Sequence, residues 1–61
     1  MSGRELEVLR LIAAGKTNPQ ISRDLFIGVG TVKTHVNNVY RKLDAHSRTQ
    51  AVGRARELGV L

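Results

Sequence analysis

The stretch GVGTVKTHVNNVYRKL, residues 28–43, decides how this chain folds. At about 100 degrees per residue, its large apolar side chains fall within roughly 100 degrees of one another on a helical wheel. They form one unbroken stripe, made of Val32, Val36, Val39, Tyr40 and Leu43. Most of the hydrogen-bond donors lie on the other side. We therefore expect an amphipathic helix with Gly28 as its N-cap, which packs its valine side against the rest of the chain.

Three further helices are marked by capping boxes, in which Ser or Thr is followed three residues later by Glu or Gln. The pairs are Ser2 with Glu5, Thr17 with Gln20, and Ser47 with Gln50. They predict helices over about residues 3–14 and 18–25, and one that begins after Ser47 and ends at Gly59. No segment alternates between apolar and polar residues as a strand does. The chain is therefore predicted to be all-α, with four helices.

The remaining apolar residues are expected to lie in or beside the core. Met1 and Leu6 are placed as a hydrophobic staple around the first helix start. Phe26 and Tyr40 are interpreted in the same way, as core or core-edge side chains. In the fourth helix the predicted apolar face consists of Ala51, Val52, Ala55 and Leu58.

Size and charge favour a binding domain. In 61 residues there is little room for a catalytic cleft with supporting residues, and we expect no enzyme activity, cofactor or metal. Ten Lys and Arg against five Asp and Glu give a formal charge of +5, which suits a polyanionic partner. The chain has no Cys, no membrane-spanning run and no secretion signal, so a cytoplasmic location is expected.

The second and third predicted helices have the spacing of a helix-turn-helix. The positions that wedge such helices together carry apolar, small, apolar, apolar and apolar residues, here Ile21, Ser22, Leu25, Ile27 and Val32. Since an α-helix fits the major groove, the polar side of residues 28–43 is expected to face base edges. Its exposed donors are Lys33, Thr34, Asn37, Asn38 and Arg41. The only aromatic residue there, Tyr40, faces the core, so duplex DNA is favoured over single strands.

The chain resembles the DNA-binding domains of LuxR-type (FixJ or GerE type) bacterial transcriptional regulators. The resemblance covers essentially the whole chain and rests on RELEVLRLIAAGKTNPQIS, TVKTHVNNVYRKL, SRTQAV and ARELG in this order. It implies a four-helix domain whose third helix reads the major groove and whose fourth helix mediates dimerisation. It also implies an upstream regulatory domain in the full-length protein.

The resemblance assigns roles to individual positions. Lys33, Thr34 and Asn37 match its base-contacting positions. The phosphate-contacting candidates are Thr17, Asn18, Thr31, Asn38, Arg41 and Lys42. On the fourth helix, a stripe beside the core face is the candidate dimer interface, and it consists of Thr49, Val52, Gly53 and Arg56.

Two other functions fit part of the pattern. A promoter-reading domain of a sigma factor has a locally similar helix-turn-helix, but SRTQAV and ARELG argue against it. A helical protein-interaction module could place the same basic surface on an acidic partner. His35 and His46 make a poor zinc set without Cys, so we expect His35 to pack or orient neighbours, with a phosphate contact as the alternative.

Overall fold

The structure, a computed structural model, describes residues 1–61 and contains four α-helices. They are α1 (Gly3–Ala13), α2 (Asn18–Leu25), α3 (Val29–Leu43) and α4 (Arg48–Glu57). The all-α prediction is confirmed. The predicted bounds of α2 are correct, and the predicted first helix is one residue too long, because Ala14 is already its C-cap. Gly15 adopts the expected left-handed conformation, with φ at +87°.

The predicted capping boxes are complete at α1 and α2. Ser2 and Thr17 each accept from the backbone amide three residues on, and the Glu5 and Gln20 side chains accept in return from the cap amides. At α4 only half of the box forms, because Gln50 Oε1 accepts from the His46 amide at 2.8 Å. Ser47 Oγ still accepts from the Gln50 amide at 3.1 Å. The prediction of a full box at α4 is therefore wrong.

The core consists of two clusters that share α3. One contains Leu9, Val39, Leu43, Ala45, Ala51 and Ala55. The other contains Val8, Ile12, Ile21, Val32 and Val36. Tyr40 is half-buried and packs against both. The predicted stripe on α3 is thus confirmed as its buried side, and α1, α2 and α4 pack around it.

The turn between α2 and α3 is held by one side chain and one strained residue. The Ser22 hydroxyl donates to the Ile27 carbonyl oxygen, which explains why the wedge needs a small polar residue at that position. Leu25 and Ile27 pack against the second cluster. Between them, Phe26 adopts a left-handed conformation with φ at +57° and reverses the chain. This fixes the angle at which α3 leaves α2.

Three apolar residues that were expected at the core are exposed. Phe26 is 95% exposed, because the left-handed turn directs its neighbours inward and its own side chain outward. Met1 is 48% exposed, so Leu6 packs against the core without it. Leu58 is 65% exposed because α4 ends at Glu57 and Leu58 is its C-cap, while Val60 packs against the core.

Candidate nucleic-acid interface

Most of the polar side of α3 is exposed to solvent, although Asn38, expected to be an exposed donor, is half-buried. Lys33, Thr34 and Asn37, the predicted base-contacting residues, are all exposed. Thr34 and Asn37 lie on the side away from the buried residues of α3, and Lys33 lies at the edge of that side, next to Tyr40 on the helical wheel. The helix contains no acidic residue. An α-helix with this arrangement has the width and the donor chemistry to enter a DNA major groove.

The candidate reading side chains differ in how they are held. Lys33 takes part in none of the ion pairs of the chain. Asn37 makes no side-chain hydrogen bond within the chain, so both its donors and its acceptor are free. Thr34 differs, because its hydroxyl donates to the Gly30 carbonyl oxygen at 3.2 Å. Two of the three side chains are therefore free for an external partner, and the third is bound to its own helix.

The predicted phosphate-contacting residues flank this face at both ends. Thr31 is exposed in the first turn of α3, and Arg41 is exposed towards its C-terminal end. Arg41 Nη1 donates to Asn38 Oδ1 at 3.4 Å, so these two residues form a pair on the helix surface. The α3 N-cap, Gly28, makes no side-chain cap bond, which leaves the first amides of the helix free.

The start of α2 offers a second set of donors. Thr17 is exposed and Asn18 is half-buried. Thr17 Oγ1 accepts from the Gln20 amide at 3.3 Å, which leaves the hydroxyl hydrogen free to donate elsewhere. Pro19 in the first turn of α2 has no amide hydrogen, and its fixed φ suits a helix start.

Lys42 has a different environment from the other candidates. Its Nζ lies 2.6 Å from Oε1 of Glu5, a side chain that is only 7% exposed, whereas the Lys42 side chain is 49% exposed. The hydrogen bond from Lys42, aided by the one from the Ser2 amide, lowers the pKa of Glu5 to about 2. The pair joins the cap of α1 to the end of α3. The sequence does not reveal this pair, because the partners are 37 positions apart and no local pattern links them.

The remaining candidates lie on α4 and around the histidines. Thr49, Gly53 and Arg56 are exposed, while Val52 is half-buried and packs against the second cluster. A Cβ atom at Gly53 would meet no atom from elsewhere in the chain within 4 Å. His35 is half-buried and His46 is exposed. The chain holds no group of three or more His, Cys, Asp or Glu side chains that could bind a metal.

Two features define the class of the chain. The short helix α2 and the long helix α3 are joined by a turn that is held by the Ser22 hydrogen bond and by buried apolar side chains of the second cluster. The exposed side of α3 carries hydrogen-bond donors and no acidic residue. This is a helix-turn-helix domain. None of the helices has the length and apolar character that crossing a bilayer demands.

Comparison with known proteins gives the family. The model of the family described as "Bacterial regulatory proteins, luxR family" matches residues 1–55, and the chain belongs to that family. It is 57% identical over 51 residues to the transcriptional regulatory protein LiaR of Bacillus subtilis strain 168, an alignment that covers 84% of this chain and 24% of LiaR. The chain thus spans about a quarter of the length of the curated relatives that it matches.

Two solved structures have the same fold. The structure of the transcription factor GerE superposes with a TM-score of 0.91 at 34% identity, covering 100% of this chain and 91% of that one. The response regulator ChrA of a heme-sensing two-component system superposes with a TM-score of 0.95 at 40% identity, covering 98% of this chain and 30% of ChrA. By family and by fold, the chain is a DNA-binding domain of a bacterial transcriptional regulator.

Proposed function

We propose that this domain binds double-stranded DNA sequence-specifically as the output domain of a larger regulator, with α3 in the major groove. The observation that carries the proposal is the division of α3 into a buried valine side and an exposed side with free donors and no acid. Lys33 is suited to donate to guanine, and Asn37 to pair with adenine through its amide. Thr34 completes the proposed set of base contacts.

Phosphate contacts position the helix in the groove without reading sequence. We assign them to residues on both sides of the reading face, namely Thr17, Asn18, Thr31, Asn38 and Arg41. A phosphate beside the start of α3 also meets free helix amides, which favour an anion. A groove-bound α3 would thus be held at both of its edges.

Lys42 is proposed as a shared contact. An ammonium group has three hydrogens, and the side chain is 49% exposed, so it can face a phosphate while it remains bonded to Glu5. Because the Glu5 carboxylate already neutralises much of its charge, Lys42 should contribute less to the salt dependence of binding than a free lysine such as Lys33.

We also propose that two domains bind paired half-sites as a dimer through α4. The proposed interface is the exposed stripe of Thr49, Gly53 and Arg56 with Val52 at its inner edge. The absence of a side chain at Gly53 allows another helix to approach closely. The proposed upstream regulatory domain is supported by LiaR and ChrA, of which this chain covers only 24% and 30%. Action on DNA places the protein in the cytoplasm, at the nucleoid.

The experiment uses a duplex selected by the domain itself. A pool of random double-stranded DNA is enriched on the immobilised domain, and affinities for the selected duplex and for a scrambled one are measured at several salt concentrations. Lys33→Ala and Asn37→Ala should each lose about 1–3 kcal/mol of discrimination at particular base pairs. Lys42→Ala should weaken the selected and the scrambled duplex alike.

Arg10→Ala is the matched control. Arg10 is an exposed cation on α1, which covers the buried side of α3, and it forms no ion pair. Its removal lowers the net charge by the same amount as the loss of Lys33, yet discrimination should be unchanged. If Arg10→Ala reduced discrimination as much as Lys33→Ala, general charge and not the α3 face would explain binding. If no duplex were enriched, the basic surface would serve an acidic protein partner instead.

A further inference from the structure

The first two turns of α3 contain an opening in the polar face. On a helical wheel Gly30 lies one turn before Thr34, near the middle of the exposed side. A Cβ atom at Gly30 would meet no atom from elsewhere in the chain within 4 Å, so the space in front of its backbone is open. The neighbouring Gly28 also lacks a side chain. In the first turn of α3 the exposed side chains Val29 and Thr31 therefore flank a backbone position, Gly30, that carries no side chain.

Thr34 is turned towards this opening. Side chains on a helix lean towards its N-terminus, so Thr34 leans over the turn that contains Gly30. Its hydroxyl donates to the Gly30 carbonyl oxygen at 3.2 Å, which uses the only hydrogen that the side chain can give. The other branch of the side chain is a methyl group, and the residue is exposed. Thr34 thus offers an external partner a methyl group and no donor.

Resting on the proposed function, we infer that Gly30 and Thr34 together form a pocket on α3 that reads the 5-methyl group of a thymine in the major groove. The bare backbone at Gly30 would let the base edge approach closely, and the Thr34 methyl would pack against the thymine methyl. Lys33, directly before Thr34, and Asn37, about one turn further on, would read by donating hydrogen bonds. The Gly30–Thr34 pocket would instead read by apolar contact, and it would reject a base that needs a donor.

Two substitutions separate the two branches of the Thr34 side chain. Thr34→Val keeps the methyl group and the shape but lacks the hydroxyl, whereas Thr34→Ser keeps the hydroxyl and lacks the methyl group. If the methyl group is the reader, Thr34→Val should bind the selected duplex as well as the unchanged domain does. Thr34→Ser should bind it about fourfold more weakly, as expected for the loss of one buried methyl contact.

The DNA offers the complementary change. Deoxyuridine differs from thymidine only by the missing 5-methyl group, so each thymine of the selected duplex is replaced in turn by uracil. At one position we expect the affinity of the unchanged domain, and of Thr34→Val, to fall about fourfold. Thr34→Ser should show no further loss at that position, since the contact is already absent.

Gly30→Leu tests the opening itself. Because Gly30 is exposed and a Cβ atom there would meet no atom from elsewhere in the chain within 4 Å, the variant should fold and melt at a temperature no lower than that of the unchanged domain. Its binding to the selected duplex should nevertheless fall at least tenfold, because the added side chain occupies the space of the base edge. Thermal melting of every variant, followed by circular dichroism, separates loss of binding from loss of fold.

Several results would overturn the inference alone. These are a uracil scan with no sensitive thymine, a Thr34→Val variant that loses as much affinity as Thr34→Ser, or a folded Gly30→Leu variant with unchanged binding. Each of them leaves DNA binding by α3 intact. Failure of the unchanged domain to bind any duplex would overturn the proposed function, and this inference with it.

Discussion

Gly53 on α4 allows the fold and the proposed dimer to be tested with one pair of substitutions. The residue lies inside α4, is exposed, and has no atom within 4 Å of the place where a Cβ would be added. An exposed helix-interior glycine costs about 1 kcal/mol relative to alanine. Gly53→Ala should therefore raise the free energy of unfolding by about 1 kcal/mol, and the melting temperature by about 4–8 °C for a domain of this size. Gly53→Leu should raise the free energy of unfolding nearly as much, because leucine is also a good helix former.

Gly53→Leu should have the opposite effect on binding to a duplex with two half-sites, which it should weaken. If another α4 packs on the stripe that contains Gly53, an added leucine side chain overfills the contact on both protomers. Overpacking typically costs about 1–3 kcal/mol, which corresponds to a loss of about five- to 150-fold in affinity for a duplex with two half-sites. Affinity for a duplex with a single half-site should be unchanged, and Gly53→Ala should lie between Gly53→Leu and the unchanged domain.

Electrophoretic mobility shifts on duplexes with one and two half-sites measure this difference, and circular dichroism melting measures the stability. A Gly53→Leu variant that is more stable but binds paired half-sites more weakly is the predicted combination. Equal affinity on both duplexes, before and after the change, would refute the assignment of α4 to the dimer interface. A fall in melting temperature would instead refute the inference that the space beside Gly53 is open.

Three further predictions concern the fold itself. Val36→Ala should lower the free energy of unfolding by about 1–3 kcal/mol, measured by urea denaturation, because it leaves a cavity beside Ile12 and Ile21 in the second cluster. Phe26→Gly should raise the free energy of unfolding by about 0.5–1 kcal/mol, because glycine adopts the left-handed φ of +57° without strain and the lost side chain, 95% exposed, makes little packing contact. A decrease would show that the Phe26 side chain stabilises the fold. Because the pKa of Glu5 is lowered from 4.5 to about 2, its charge stabilises the fold fully above pH 4.5, and this contribution is lost as the pH falls towards 2. Glu5→Gln, which keeps a capping side chain, should flatten the decline in stability over that pH range, and an unchanged profile would contradict the role of the Lys42 pair.

The sequence predicted most of the fold because its signals are local. Capping boxes, the valine stripe and the left-handed glycine at residue 15 depend on residues a few positions apart, and the α2 and α3 bounds follow from them. The spacing that defines the helix-turn-helix is local for the same reason. The reading face of α3 could be located from that spacing, and the structure places all three of its candidate residues in solvent.

The errors concern tertiary contacts and backbone direction. The hydrophobicity of Phe26 indicates a core residue, but the left-handed turn directs its side chain outward. The spacing of apolar residues in the sequence does not indicate this turn. The ion pair of Lys42 with Glu5 joins the end of α3 to the start of α1, and no local sequence pattern indicates it. In the same way, the bond from the Thr34 hydroxyl to Gly30 depends on a side-chain rotamer. These details decide what the interface presents to DNA.

The most direct test of the central claim, that α3 is a DNA-reading surface, is an NMR titration. An isotope-labelled domain is mixed at low salt with an arbitrary short duplex, and the backbone amide shifts are followed. Non-specific binding in the range of about 10⁻⁴ to 10⁻⁶ M is sufficient for this purpose. The predicted result is a set of shifts concentrated on residues 17–18 and 31–42 that fades as salt is added. Shifts confined to other helices, or no shifts at all, would contradict the claim.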